Sequence, residues 1–236
     1  MKIILIGYGK MGKMIESLSL DTQDEIIARI TKTEDIAAYS KQADVAIEFT
    51  RPEAAVDNIH ECFKAGIPVV CGTTGWFQHL PKVIELAEQH GGALLYSSNF
   101  SIGVQLFFKI TNKVSEVLST FSQYKPSIRE IHHTQKLDAP SGTAITLSQQ
   151  MLPHYPQLRG YSLNESEENT LRIDAIREGD VTGIHEVKFT SDVDEITLRH
   201  EAFSRVGFAQ GALAAARWLV GRKGVFTMDD MLNINF

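Results

Sequence analysis

Lys2-Ile3-Ile4-Leu5-Ile6-Gly7-Tyr8-Gly9-Lys10-Met11-Gly12 decides the fold. A short aliphatic run suited to a buried strand is followed at once by G-x-G-x-x-G. Met11 to Leu20 then carries a helical pattern. By itself the glycine pattern marks no more than a turn. Between a strand and a helix it gains a mechanism: the first glycine permits the tight turn, the second lets the backbone approach a pyrophosphate, and the third lets helix and strand pack closely. Exposed N–H groups at the helix start then hold the phosphates. Gly7, Tyr8, Gly9, Lys10, Met11 and Gly12 are therefore expected to bind a dinucleotide.

The same alternation continues for a hundred residues. Glu25–Ile30 and Asp44–Phe49 read as strands. Pro52 opens a helix to Ala65, since proline suits the first helical turn. Ala55, Ile59 and Phe63 recur every four positions on its apolar face. Ile67–Cys71 is a strand, Gly72–Gly75 a turn, Pro81–His90 a helix and Ala93–Tyr96 a strand. Strands alternating with helices predict right-handed crossovers and a parallel sheet, with ligands at the carboxyl ends of the strands. Phe49-Thr50, Gly72-Thr73-Thr74 and Ser97-Ser98-Asn99-Phe100 all fall at such ends and join the expected cofactor site.

Composition narrows the class. A chain of 236 residues can bury one large core or two small ones. Its apolar and charged fractions are those of a globular protein. A formal charge of −6 without a basic stripe argues against a nucleic-acid partner. No apolar run reaches transmembrane length. The first residues resemble a signal segment only in hydrophobicity, being too short and without a cleavage site. Cys62 and Cys71 are too few for a disulfide framework or a zinc site, and read as buried free thiols in a reducing cytoplasm.

After residue 101 the pattern changes. Val104–Phe121 reads as one long amphipathic helix, Ser127–His132 as a strand and Ala144–Leu152 as a helix. Leu171–Arg177, Glu186–Thr190 and Glu195–Glu201 read as strands separated by Gly179-Asp180 and Ser191-Asp192 turns. This is an antiparallel α+β pattern, hence a second domain. The apolar helix Gly207–Val220 is expected to return to the first.

The chemistry concentrates in Glu130-Ile131-His132-His133-Thr134-Gln135-Lys136-Leu137-Asp138-Ala139-Pro140-Ser141-Gly142-Thr143-Ala144. Two imidazoles and an ammonium precede a helix start, an arrangement suited to a small anion that receives a proton. Neighbouring strand residues face opposite ways, so His132 and His133 converge on one ligand only if the strand ends there. Otherwise one packs inward and the other is solvated. Lys136 alone would be a surface lysine, and Ser141 a plain N-cap. Gly142 leaves the helix N–H groups uncovered, which favours a carboxylate there. No carboxylate or cysteine stands at ligand spacing from the histidines, so no metal is expected.

This segment resembles the signature E-x-H-H-x-x-K-x-D-A-P-S-G-T-A of the 4-hydroxy-tetrahydrodipicolinate reductases, enzymes of the diaminopimelate route to lysine. Gly7 to Gly12, Glu48-Phe49-Thr50-Arg51-Pro52, Gly72 to Gly75, Ser98 to Ser101 and Ser204-Arg205 follow the same order, so the resemblance spans essentially the whole chain. Its length and the short link between the second and third strands resemble the compact members. The resemblance implies an α/β fold: a Rossmann-like dinucleotide-binding domain (1–101 and 206–236) and an α+β substrate-binding and tetramerising domain (102–205) with a mostly antiparallel sheet. It implies His132 as general acid and Lys136 as second proton donor or carboxylate partner. His133, Ser141, Gly142 and Thr143 would bind the dicarboxylate substrate. It further implies a cytoplasmic homotetramer in which a nicotinamide cofactor delivers hydride to carbon 4 of the ring, with loss of the 4-hydroxyl and protonation at carbon 3.

One departure bears on the cofactor. Folds that prefer NADH place an acidic residue on the ribose 2′-hydroxyl at the end of the second strand. Thr31-Lys32 stands in that region, with Glu34 and Asp35 slightly beyond. Lys32 suits a 2′-phosphate, so NADPH is the expected cofactor, with NADH also used. Two other readings stay open: a different dinucleotide-dependent dehydrogenase of amino or keto acids, and a non-catalytic sensor of nicotinamide redox state. The density of proton donors in the central segment weighs against both.

Overall fold

The structure, a computed structural model, describes residues 1–234. The chain divides into two compact units, one made of Met1–Ile102 with the segment 206–234, the other of Gly103–Arg205. Residues 235 and 236, the end of the expected first domain, lie outside the described residues.

The first unit is built on β1 (Lys2–Ile6), β2 (Glu25–Ile30), β3 (Val45–Glu48), β4 (Val69–Cys71), β5 (Ala93–Tyr96) and β11 (Gly224–Phe226). All pair parallel, in the order β11-β5-β4-β3-β1-β2. The strands read as unbroken aliphatic runs because both faces are covered. Ile4 and Ile6 of β1 point to one face, where α2 (Pro52–Lys64) and α3 (Leu80–His90) supply Ala55, Ile59, Phe63, Val83 and Ala87. Ile3 and Leu5 point to the other, against Ile15 of α1 (Lys10–Ser19) and the alanines 209, 212, 215 and 216 of α6 (Val206–Leu219). Each such buried aliphatic side chain contributes roughly 1.5–3 kcal/mol. The small side chains of α6 let it lie close to the sheet. A Cβ on Gly211 would stand 1.7 Å from the carbonyl oxygen of Phe100.

The second unit holds α4 (Ile102–Leu118), β6 (Lys125–His132), α5 (Gly142–Met151), β7 (Tyr161–Leu163), β8 (Leu171–Arg177), β9 (Ile184–Thr190) and β10 (Glu195–Glu201). Its sheet runs β10-β9-β6-β8-β7. The expectation of a mostly antiparallel sheet is corrected here. β9 pairs antiparallel with β10 and β6, but β6–β8 and β8–β7 are parallel, so the sheet is mixed. The long stretch between β6 and β8, which contains α5, allows a crossover that returns the chain in the same direction. Only β9–β10 is joined by a tight turn. Ile128, Leu171, Ile173, Val187 and Phe189 of the sheet pack with Phe107, Phe108, Leu147 and Met151 of the helices.

β7, β11 and a 3-10 segment at Thr33–Tyr39 were not expected from the sequence. The two strands span three residues each, too short to display a period. The last helix, α7 (Met228–Leu232), starts at a capping box between Thr227 and Asp230. Among the described residues, no helix is long and apolar enough to cross a membrane.

Candidate active site

In the first unit, the carboxyl ends of β1, β3 and β4 open into a cleft of about 360 Å³ lined by Gly9, Lys10, Met11, Phe49, Thr50, Pro52, Gly72, Thr73 and Thr74. Each glycine here has a distinct geometric reason. Gly7 has φ +89°, and a Cβ on it would stand 2.2 Å from the Phe49 carbonyl oxygen. A Cβ on Gly12 would stand 2.6 Å from the carbonyl oxygen of Gly7, so helix and strand pack too closely for a side chain. Gly9 faces open space, with nothing within 4 Å. It is the N-cap of α1 and offers no side-chain cap, and no acidic residue lies in the first turn. The helix N–H groups are thus left for an anion, which fits the diphosphate of a dinucleotide.

Beneath the cleft lies a buried carboxylate. Glu48 ends β3 with no exposed surface. Its Oε1 accepts from the Thr50 N–H at 3.2 Å, from the Thr50 hydroxyl and from Asn58 Nδ2 at 3.3 Å. Asn58 Oδ1 in turn accepts from the Thr33 hydroxyl at 2.7 Å, and Thr50 N–H also donates to Thr73 Oγ1 at 2.8 Å. One network therefore ties together the loops that follow β2, β3 and β4.

The remaining expected cofactor residues occupy different settings. The Tyr8 hydroxyl donates to Glu16, which also pairs with Arg29 across 3.1 Å from its Nε. Lys32 is exposed just before the 3-10 segment, and Glu34 and Asp35 are exposed in its first turn. Ser97 Oγ donates to the Asn99 carbonyl at 2.8 Å and accepts from the Asn99 N–H at 3.1 Å. Ser98 is exposed. Phe100 is buried, edge-on to Phe49 with ring centroids 6.0 Å apart.

In the second unit, β6 ends at His132 and the chain turns away, so His133 leaves the strand. His132 is 8% exposed and His133 half-buried. Lys136 extends from the following loop and pairs with Asp138 at 2.7 Å. The helix start comes earlier than the sequence period suggested: Ser141 is the N-cap of α5, its Oγ accepting from the Ala144 N–H at 3.2 Å. Ser141 is buried, and its Oγ also lies 3.1 Å from His185 Nε2. Gly142 is exposed, a Cβ there would meet nothing within 4 Å, and Thr143 is half-buried beside it.

The end of β6 and the start of α5 meet at Glu130. Fully buried, it accepts the Ser141 N–H with both oxygens at 3.0 and 3.1 Å and pairs with Arg177 Nη2 at 3.1 Å. Its Oε2 lies 3.7 Å from His132 Nδ1 and 3.6 Å from His185 Nε2. Burial acts to raise its pKa, but hydrogen bonds from His185 and Ser141 outweigh this and hold it at about 2. Burial and then the neighbouring His185 push His132 down to about 4, against an opposing pull from Glu130.

Sequence reasoning missed Glu130, His185 and Arg177 as members of this group. The premise that no carboxylate stands near the histidines is corrected, since Glu130, His132 and His185 offer atoms within 4.8 Å of one another. The cation that meets Glu130 here is Arg177. Part of the signal was legible: Glu130 and His132 are two apart on one strand and share a face. That β9 would set His185 opposite Glu130 was not.

Comparison with known proteins adds the family. Residues 1–100 match the model of the dihydrodipicolinate reductase N-terminus, and residues 103–232 that of its C-terminus. The chain belongs to the dihydrodipicolinate reductase family. It is 44% identical to the 4-hydroxy-tetrahydrodipicolinate reductase of Christiangramia forsetii, covering 99% of this chain and 98% of that one. The enzyme of the same name from Methanoregula boonei is 32% identical over 99% and 98% of the two chains. A solved dipicolinate-bound dihydrodipicolinate reductase from Paenisporosarcina sp. TG-14 shares the fold at TM-score 0.80 and 22% identity, covering 96% of this chain and 97% of that one. Membership in the dihydrodipicolinate reductase family makes the chain an oxidoreductase.

Proposed function

We propose that this chain reduces 4-hydroxy-tetrahydrodipicolinate to tetrahydrodipicolinate with NADPH or NADH, on the diaminopimelate route to lysine. The observation that carries the chemical assignment is the convergence on Glu130. One buried carboxylate stands beside His132 at the strand end, accepts from the helix start at Ser141, and is joined by Arg177 to the loop that carries Lys136.

The first unit is the dinucleotide-binding domain. Gly9 and the first turn of α1 hold the diphosphate, Lys10, Phe49, Thr50, Gly72, Thr73 and Thr74 line the cofactor, and Ser97 to Phe100 shape the neighbouring strand end. Lys32 meets a ribose 2′-phosphate, which favours NADPH. Loss of the 4-hydroxyl as water leaves an unsaturated ring, to which the nicotinamide, when bound, would supply hydride at carbon 4.

The second unit holds the substrate. One carboxylate lies on the N–H groups of Gly142 and Thr143 and on the Thr143 hydroxyl, and His133 and Lys136 take the other. Ser141 serves both by capping that helix start. His132 donates the proton to carbon 3, a step typically worth about 10²–10⁴ in rate. In the free protein the imidazole is neutral at pH 7, because its pKa is held at about 4. A bound dianion pulls it upward by charge attraction.

The chain assembles as a cytoplasmic homotetramer. The edge strand β10 is largely exposed and carries exposed Ile196, with Val193 exposed in the turn before it, a surface that favours a partner sheet. Sedimentation at micromolar concentration tests this, and a monomer would refute it. A coupled assay with dihydrodipicolinate synthase, run with each cofactor, tests the activity. Consumption of NADPH or NADH that depends on the synthase product is expected, and none with either cofactor would overturn the reading.

A further inference from the structure

Resting on the reading of His132 as proton donor, we propose that Glu130 is the positioning carboxylate of that donor and Arg177 the clamp that sets the Lys136 loop. The backbone makes the first half of this arrangement. Glu130 and His132 lie two apart on β6 and project to the same face, where His185 of β9 stands opposite Glu130. His132 Nδ1 is buried with no hydrogen-bond partner, and Glu130 Oε2 lies 3.7 Å from it. That is longer than a hydrogen bond, the usual state of a donor–orienter pair before substrate tightens it.

The charges around the imidazole make the carboxylate necessary. His185 faces it from β9, Arg177 from β8, and Lys136, itself paired with Asp138, from the loop; His200 of β10 is paired with His185 across the sheet. The cations Arg177 and Lys136 disfavour imidazolium, as does the adjacent His185. Glu130 is the one fully buried carboxylate in the group, and it opposes them. With Glu130 in place, a substrate dianion has less far to raise the pKa of His132.

Arg177 makes the second half. Its Nη2 donates to Glu130 at 3.1 Å and also to the Asp138 carbonyl, while Nε donates to the Lys136 carbonyl at 3.3 Å. One planar guanidinium thus joins the buried carboxylate to two carbonyls of the loop. A lysine ammonium has no such fork.

The test uses the full-length enzyme with Glu130→Gln, Glu130→Asp and Arg177→Lys, each checked for folding and NADPH binding. A general acid must be protonated, so kcat falls as pH rises through its pKa in the complex. Glu130→Gln is expected to lower kcat at least about tenfold and to move this limb to lower pH. Glu130→Asp keeps the charge and should retain part of both. Arg177→Lys should raise the substrate KM about tenfold, leaving the limb and NADPH affinity in place. A merely structural Glu130 would reduce the folded fraction and leave the limb where it was; that result overturns the proposal. If Glu130→Gln does not fold, the NMR titration of the His132 ring in Glu130→Asp decides by the same shift or its absence. His132→Ala separates the two readings. Normal kcat in His132→Ala overturns the donor assignment itself. Collapse in His132→Ala with an unmoved limb in the Glu130 variants overturns only this inference.

Discussion

The thiol of Cys71 donates to Oε2 of Glu48 across 3.0 Å, with both side chains fully buried. The two residues stand in register on neighbouring parallel strands, which end at the cleft of the first unit. Burial and the adjacent Glu48 push the Cys71 thiol well above its ordinary range. Its partner organises the loops above through Thr50, Asn58 and Thr33.

Glu48→Ala should therefore act on more than stability. It leaves buried donors without an acceptor, a loss on the order of 1–3 kcal/mol. It should also weaken NADPH binding in the fraction that folds, measured by fluorescence titration. In the native enzyme, Cys71 and the equally buried Cys62 should resist thiol reagents until the chain unfolds. Prompt labelling of either thiol would show that the burial is not maintained in solution.

Lys32 is exposed beyond the end of β2 and offers a cation where an acidic residue would favour NADH. Lys32→Ala should weaken NADPH more than NADH in paired titrations. Equal loss, or none, would assign the 2′-phosphate to another residue.

At the start of α5, the open face of Gly142 and the side chain of Thr143 are proposed to meet a substrate carboxylate. Thr143→Ala should raise the substrate KM and leave NADPH affinity unchanged. A normal KM in the folded variant would reduce this helix start to a cap formed by Ser141.

The three candidate groups of the central segment should separate kinetically. His132→Ala should lose mostly kcat, by about 10²-fold or more, and flatten its pH dependence. Lys136→Ala should lower kcat and raise KM together, because charge and proton supply go at once. His133→Ala should act mainly on KM. Near-normal kcat in His132→Ala with loss in His133→Ala would exchange the two roles.

Acid should unfold the second unit through Glu130 and His132. Both have folded pKa values below their ordinary ones, at about 2 and about 4. A depressed pKa means that the unfolded chain takes up the proton first. The stability is therefore present at neutral pH. The His132 share fades as pH falls from 6.5 to 4, and the Glu130 share from 4.5 to 2. Each shift taken alone is worth on the order of 3 kcal/mol. Urea unfolding at a series of pH values checks the slope, which Glu130→Gln should reduce below pH 4.5. An unchanged slope would show that the carboxylate keeps an ordinary pKa.

Local chemistry was enough to read much of this molecule from its chain. The aliphatic run before Gly7, the glycine spacing and the strand–helix alternation are set by contacts within a few residues and by a two-sided core, so they specify a parallel sheet and a cleft at its carboxyl ends. The central segment likewise shows its cations and its helix start, because Ser141 and Gly142 act on their own turn. Strand pairing is a different matter. Nothing local tells β8 to run parallel with β6, since the long connection through α5 permits either direction and the packing of the whole second unit chooses. β7 and β11 were invisible for a related reason: three residues have no period, and they become strands only because an edge is there to pair with. The same holds for the site. His185 and Arg177 lie 55 and 47 positions beyond Glu130 and carry no motif of their own. Only the register of β9 and β8 against β6 brings an imidazole and a guanidinium onto one buried carboxylate, because that carboxylate, once removed from water, must find its partners wherever the sheet supplies them.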